Sequence, residues 1–275
     1  MSAIVVIPTY QEADNVERLL RAIRAAAPEL DVLIVDDNSP DGTAKVAETV
    51  GEELGGVKVL RRPGKAGLGV AYRHGFRHVL DQGYDIVGQM DADLSHDPAE
   101  LPHLLAAVRD GADVAVGSRY VPGGAVPTWT WFRRVLSRWG NAYARAVLRL
   151  SFSDATSAFR IYRADVLGEI DIDGTRANGY LFQIETAYRV SAVGATVVEL
   201  PITFVDRVAG SSKMAVLRTM IETEIRVTWW GVSLRAPGLS GRFRATGPGR
   251  YLERRMSPDA SRRATADEDA SHSGP

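Results

Sequence analysis

An apolar run, DIVGQM at residues 85–90, ends in Asp91-Ala92-Asp93. Two carboxylates one residue apart repel each other, so a strand that stops on them needs a positive partner. A divalent cation, Mg2+ or Mn2+, supplies one. Such an ion takes one or two protein carboxylates and fills its other positions with water and substrate phosphate oxygens. In an extended segment residues i and i+2 project to the same side, which lets Asp91 and Asp93 reach one ion. The plainer alternative is that one Asp caps a turn. Asp97 already offers that service at the start of the next helix, so the pair reads as a cation site.

Other polar residues fall at equivalent places. Pro8, Tyr10 and Glu12 follow the first apolar run, Asp36 and Asp37 close the second, and Arg119 closes the fifth. If these runs are neighbouring parallel strands, their ends share one edge of a sheet, where α/β proteins bind ligands. Acids alone would repel a phosphate there; a bound cation reverses the sign.

The elements that must position these residues alternate. AIVVIP, DVLIVDD, VKVLRR, DIVGQMD and DVAVGSR read as short, continuously apolar strands. Between them lie helical periods: NVERLLRAIRAAA, with Val16, Leu19, Leu20 and Ile23 on one face, then DGTAKVAETVGEEL, GLGVAYRHGFRHVLDQG and DPAELPHLLAAVRDG. The last opens with Asp97 as N-cap, Pro98 at the first helical position and Glu100 completing a capping box. Continuous apolar strands separated by helices predict a parallel sheet covered on both faces. Beyond Arg119 the pattern loosens. YVPGGAVPTWTWF is a long loop, RRVLSRWGNAYARAVLRL a helix, SAFRIYR and ATVVELPITFVDR strands, and GYLFQIETAYRVSAVG a helix between them. An amphipathic stretch, MAVLRTMIETEIRVTWWGVSL, follows. From about Ala236 the composition turns to Gly, Pro, Arg, Ser and Asp without periodicity, which predicts a disordered tail over 236–275.

Several functions are excluded. A dinucleotide-binding fold needs G-x-G-x-x-G after the first strand, where this chain has PTYQEADN; a Walker A loop is absent as well. The 275 residues carry a net charge of −1, which gives no global footprint for nucleic acid. There is no cysteine, which fits a reducing compartment. The start, MSAIVVIPTY, is too short and uncharged for a signal peptide. No run of about 18 apolar residues occurs, so no transmembrane helix is expected.

Taken in order, IPTYQEADN, VDDNSPDGT, GLGVAYRHG, MDADLSHDP, GSRY, FQIE and FVDRVAGSSKM resemble the family 2 glycosyltransferases, and within them the polyprenyl-phosphate (dolichol-phosphate) mannosyltransferases. The resemblance runs from about residue 3 to 230. It implies a GT-A α/β fold with a mostly parallel central sheet. Residues 1–235 would form the transferase domain, with 1–119 holding the nucleotide-sugar and 120–235 the acceptor.

The resemblance also implies roles. Pro8, Tyr10 and Glu12 match positions that hold the nucleoside, and Val35 and Asp37 match those that close around base and ribose. Asp91, Ala92 and Asp93 match the DxD motif on the donor diphosphate. Ser95 stands where the family often has Gln; a hydroxyl can ligate the metal or a ligating water at shorter reach. Arg119, Arg207 and Lys213 match basic positions around the donor phosphates, and His96 follows the motif without a matched role. Arg133 and Ser137, four apart on one helix face, resemble the acceptor-phosphate site, with Arg134 as a neighbour able to take the role. Cations are unfavourable at a helix N-terminus unless an anion binds there.

The reaction so implied moves mannose from GDP-mannose to a polyprenyl monophosphate with inversion, using Mg2+ or Mn2+. A phosphate monoester has a second pKa of about 6, so it attacks without a general base. A UDP-glucose-dependent glucosyltransferase shares these motifs. A processive synthase would add Q-x-x-R-W and membrane helices, and a nucleotidyltransferase would add a Gly-rich first loop. A non-catalytic nucleotide-sugar-binding regulator would have no need of Asp91, Asp93, Arg119 and Lys213. Because the acceptor is a lipid, the tryptophans of TWTWF and VTWWG, with Arg133, Arg134, Arg138 and Arg145, point to peripheral attachment at the cytoplasmic face of a membrane or to a membrane-protein partner. Core packing is the other place for those tryptophans.

Overall fold

The computed structural model describes residues 1–205 and, beyond them, Thr223, Ile225, Val227, Thr228, Trp230 and Gly231 of a further helical segment. The expected tail lies outside the described residues, as do Arg207 and Lys213.

Seven strands form one sheet in the order β3-β2-β1-β4-β6-β5-β7. They are β1 (Ala3–Thr9), β2 (Leu30–Asp36), β3 (Val57–Arg61), β4 (Ile86–Gln89), β5 (Val114–Ser118), β6 (Arg160–Arg163) and β7 (Val197–Pro201). To within a residue at their ends, all seven fall in the segments expected to be strands, the last two as shorter pieces of SAFRIYR and ATVVELPITFVDR. All pairings are parallel except those of β6, which runs antiparallel to both neighbours, β4 and β5. The sheet is thus mostly parallel, as expected, and β6 is its reversed strand. After β5 the chain stays at the ligand edge through a loop and a helix, then enters the sheet from that edge, with Arg160 opposite Gln89.

The helices are α1 (Ala13–Ala26), α2 (Thr43–Leu54), α3 (Leu68–Asp81), α4 (Leu101–Arg109), α5 (Trp131–Leu148), α6 (Ala164–Glu169) and α7 (Tyr180–Val193). They cover both sheet faces, so the sheet lies between two apolar clusters. One joins Val16, Leu19, Leu20 and Ile23 of α1 to Val5, Ile7, Ile34 and α4. The other joins Tyr72 and Phe76 of α3 to Val6, Val35, Phe182 and Tyr162, and takes in Val227 and Trp230. Burying such rows on both faces is the main favourable term for the fold. Gly75 shows how closely α3 lies on the sheet: a Cβ there would sit 2.4 Å from Val6 Cγ1 and 2.9 Å from Val35 Cγ2.

The start of α4 differs from the expected capping box. Asp97 does cap, its Oδ1 accepting from Ala99 N at 2.9 Å, but Pro98–Glu100 forms a 3-10 turn and the Glu100 carboxylate turns outward to His103 Nδ1 at 3.1 Å. The helix after the Trp loop begins two residues earlier than its sequence pattern indicates. Thr130 is its N-cap, and its Oγ1 accepts from Arg133 N.

Candidate active site

The chain runs β1, β2, β3 to one side, then returns to place β4 on the other side of β1. The crevice at the ends of β1 and β4 is therefore the topological switch point, the usual ligand position in such sheets. Asp91 and Asp93 leave β4 there. Their backbone is not extended: β4 ends at Gln89, residues 92–94 bend, and Leu94 has φ of 60°. The alternation nonetheless survives in burial. Ala92 is 4% exposed and packs into the core, while both acids are half-buried.

Each acid has a distinct support. Tyr72 Oη from α3 lies 3.1 Å from Asp91 Oδ1 and 3.1 Å from the Met90 carbonyl, sharing its proton between them. Burial, then the Asp91 charge, push the Tyr72 hydroxyl well above its usual pKa, so it stays a donor. Asp93 Oδ1 accepts from Ser95 N at 3.0 Å, so Asp93 does cap a turn, as the plainer reading had it. Ser95 is itself buried, with its carbonyl accepting from Val205 N. Among the described residues no group of three or more His, Asp or Glu is arranged to hold a metal. A pair of half-buried carboxylates with no third protein acid is the donor set of an ion that completes its shell with water and substrate phosphate. On that ground Asp91 and Asp93 fit Mg2+ or Mn2+.

An aromatic cluster joins this turn to the second half of the site. His96 stacks on Phe159 at 5.0 Å and meets the edge of Phe204 at 5.4 Å; Phe204 meets Trp129 at 5.8 Å. Arg119 lies against Trp129, Phe204 and Tyr120, and the Arg133 guanidinium sits 4.1 Å above the Trp129 ring. Ser137 Oγ lies 2.6 Å from Tyr120 Oη. The structure thus brings Arg119, Arg133 and Ser137 together beside Asp93 and Ser95. Arg134 is exposed on the same helix.

Arg119 is not the open phosphate fork its position invites. Its Nε and Nη2 donate to the two oxygens of Asp154 at 2.8 and 2.7 Å, Nη2 also reaches Thr156 Oγ1 at 2.7 Å, and its backbone N bonds Asp154 at 3.0 Å. Both side chains are buried, at 7% and 0% exposure. Burial works to raise the Asp154 carboxyl pKa, but the Arg119 charge and hydrogen bonds prevail and hold it below the usual carboxylate range.

At the other side of the crevice, Pro8 sits opposite Val35 in the β1–β2 register. β4 stops opposite Val6, so the missing N–H of Pro8 costs no ladder bond. Asp36 is consumed locally by Thr9 and Ser39. Asp37 is buried and accepts from Arg62 Nη1 and from Ala66 N. Glu12 Oε2 accepts from Asn15 Nδ2 at 2.8 Å, and Lys65 Nζ lies 4.0 Å from the Tyr10 ring centroid.

Residues 4–171 match the model of glycosyl transferase family 2. The chain belongs to that family. Over 243 residues the glycosyltransferase is 46% identical to the undecaprenyl-phosphate mannosyltransferase of Micrococcus luteus, covering 88% of this chain and 99% of the relative. It is 44% identical over 230 residues to the polyprenol monophosphomannose synthase of Mycolicibacterium smegmatis, covering 83% and 86%. Among solved structures, the Pyrobaculum calidifontis mannosyltransferase in complex with GDP-Man and Mn2+ superposes with a TM-score of 0.55 at 18% identity, covering 98% of this chain and 81% of that one. A mycobacterial protein superposes at 0.61 with 18% identity, covering 84% and 74%. The shared architecture is the GT-A fold.

Several supports of the glycosyltransferase site went unread in the sequence. Asp154, Arg62 and Tyr72 are partners of residues that did stand out. The FQIE segment has a visible job: buried Glu185 accepts from the amides of Arg176 and Ala177 and from Arg189, whose Nη atoms also reach the carbonyls of Ile170, Asp171 and Gly174. This clamp holds residues 170–178 against α3, where Gly69 leaves room: a Cβ there would sit 2.4 Å from the Ala177 carbonyl.

His96 is 2% exposed, and its Nδ1 has no hydrogen-bond partner among the described residues. Burial lowers its pKa from about 6.5 to about 4, against the pull of Asp93. Below the ordinary value the unfolded chain takes a proton that the folded chain refuses. Stability is therefore full above about pH 6.5 and drains away as pH falls toward 4, by on the order of 3 kcal/mol from this group. Urea unfolding in EDTA at several pH values should show this slope in the wild type and a shallower one in His96→Phe. Equal slopes would refute the assignment.

Proposed function

We propose that this glycosyltransferase moves mannose from GDP-mannose to a polyprenyl monophosphate, giving polyprenyl-phosphate mannose and GDP. The observation that carries the reading is the 46% identity spanning 99% of the Micrococcus luteus undecaprenyl-phosphate mannosyltransferase. The Pyrobaculum complex with GDP-Man and Mn2+ supports the donor and a divalent ion.

In this reading Pro8, Tyr10, Glu12, Val35 and Asp37 line the nucleoside end, with Arg62 holding Asp37 in place. Asp91 and Asp93, with Ala92 packed between them and Ser95 fixing Asp93, hold Mg2+ or Mn2+. When bound, the ion neutralises the diphosphate and stabilises charge on the departing oxygen. Arg207 and Lys213 are assigned to the same phosphates. Arg119, locked to Asp154, keeps only Nη1 for a ligand and chiefly fixes the floor between the donor and acceptor sides. Arg133 and Ser137 take the acceptor phosphate. That phosphate is largely a dianion at neutral pH, so attack on the anomeric carbon needs no protein base. A single displacement inverts the centre and yields the β-linked product. The contribution of the protein is positioning and electrostatic stabilisation.

Among the described residues no helix is long and apolar enough to cross a membrane. In this reading the lipid acceptor is met through peripheral attachment at the cytoplasmic face or through a membrane-protein partner. The test is a donor panel of GDP-mannose, UDP-glucose and UDP-GlcNAc against undecaprenyl and decaprenyl phosphates, with Mg2+ or Mn2+. Selective formation of the β-mannosyl lipid with GDP-mannose is expected. Equal or better turnover of UDP-glucose would overturn the mannose assignment.

A further inference from the structure

The forty residues from Val114 to Ser153 contain six arginines and no Asp or Glu. α5 lies within this segment and has two unlike sides. Asn141, Ala144 and Leu148 face the core. The opposite side exposes Trp131, Phe132, Val135 and Trp139, at 69%, 57%, 58% and 56%. At about 100° per residue these four fall in one arc of about 100°. Four large apolar side chains in water on one helix face mark a surface that meets something apolar. The tryptophans of the chain are thereby divided, because Trp129 and Trp230 are buried.

Along one flank of the apolar stripe run Arg138, Arg145 and Arg149, spaced seven and four apart and so on one side of the helix. With Tyr120, Asn141 and Ser153 they line a cleft of about 580 Å3. None of the three guanidinium groups has an ion-pair partner among the described residues. Two acids beside Ser153 in the cleft wall are engaged elsewhere: Asp154 with Arg119, and Glu199 with the amides of Ser153 and Asp154. Three uncompensated arginines around a cleft are suited to phosphate oxygens. A soluble phosphate would not account for the apolar stripe beside them. An anionic phospholipid surface accounts for both, since tryptophan favours the membrane–water interface and basic side chains attract its headgroups.

We propose that the outer side of α5 is a lipid-binding site separate from the transfer site: Trp131, Phe132, Val135 and Trp139 seat in the headgroup region, and the Arg138–Arg145–Arg149 cleft takes the phosphate of an anionic phospholipid that is not the acceptor. This deepens the peripheral-attachment reading above and names its surface.

The test uses the full chain in sedimentation with vesicles of phosphatidylcholine alone or mixed with phosphatidylglycerol. The wild type should bind the mixed vesicles far better, and less so as salt rises. The triple variant Arg138→Gln, Arg145→Gln, Arg149→Gln should lose about 100-fold in partitioning. Trp131→Ser with Trp139→Ser should also weaken binding while keeping the thermal midpoint. At matched ionic strength, glycerol phosphate should not compete. Turnover of GDP-mannose with detergent-dispersed acceptor, measured in parallel, should be unchanged in the triple variant. Vesicle binding that survives the arginine changes, or competition by glycerol phosphate, would overturn the proposal. So would loss of dispersed-acceptor turnover, which would place the cleft in the transfer machinery. A wild type that binds vesicles but fails to turn over GDP-mannose would sink the donor assignment and leave this one standing.

Discussion

Asp154→Ala should lower the unfolding free energy by about 3–5 kcal/mol, because it strands a buried guanidinium without its counter-ion. For a chain of this size the thermal midpoint should fall by on the order of 10 °C. Arg119 is 7% exposed and gives Asp154 three of its bonds, one from the backbone. No other carboxylate is paired with it among the described residues. The informative comparison is the double variant Arg119→Met, Asp154→Ala. Removing both charges should recover part of the loss, since a broken buried pair costs more than an absent one. Acid should mimic the single variant. The Asp154 carboxyl is held below its usual range, so its contribution is complete above the unfolded value and disappears as pH falls through the lower, folded one. Thermal melts of the wild type and these two variants decide the matter: a loss under 1 kcal/mol for Asp154→Ala would show that the pair is structurally idle.

Asp91→Ala and Asp93→Ala should each reduce transfer by about three orders of magnitude, as should EDTA. Alanine alone does not separate two roles of Asp93, since its Oδ1 also caps the turn at Ser95. Asparagine does. Asp93→Asn keeps an acceptor for the Ser95 amide and removes the charge. Asp91→Asn likewise keeps an acceptor for Tyr72 Oη. If the acids bind a cation, both Asn variants should melt like the wild type and still lose activity. Added Mn2+ should raise the midpoint of the wild type only. An active Asp93→Asn enzyme, or full turnover in EDTA, would leave the turn cap as its whole function.

Much of this architecture can be read from pattern. Apolar rows at helical spacing located α1 to within two residues at its start, and each of the seven strands falls, to within a residue at its ends, in a segment that reads as a strand. Carboxylates at consecutive strand ends gave the crevice, since parallel strands must share an edge. The direction of β6 was not readable: four residues, RIYR, look alike in either orientation, and only the path around α5 decides it. The partner of Arg119 was not readable either. It lies 35 positions away, in a segment with no regular structure of its own. Burial of a charge depends on what tertiary packing brings near, and spacing along the chain carries no trace of it. The tryptophans show the same limit, because Trp129 and Trp131 sit two residues apart and end on opposite sides of the core boundary.

The reversed strand also bears on the order in which the molecule can be assembled. β5 pairs only with β6 and β7, and β6 alone joins β5 to β4. A chain emerging from the ribosome therefore completes β3-β2-β1-β4 first. It then holds β5 without a partner until Arg160–Arg163 arrives some forty residues later. Pairing across such separations is slow, and an open strand edge in the interval invites association with other chains. β6 is thus the keystone of a two-stage assembly, and a nascent chain stopped before it should expose the edges of both β4 and β5.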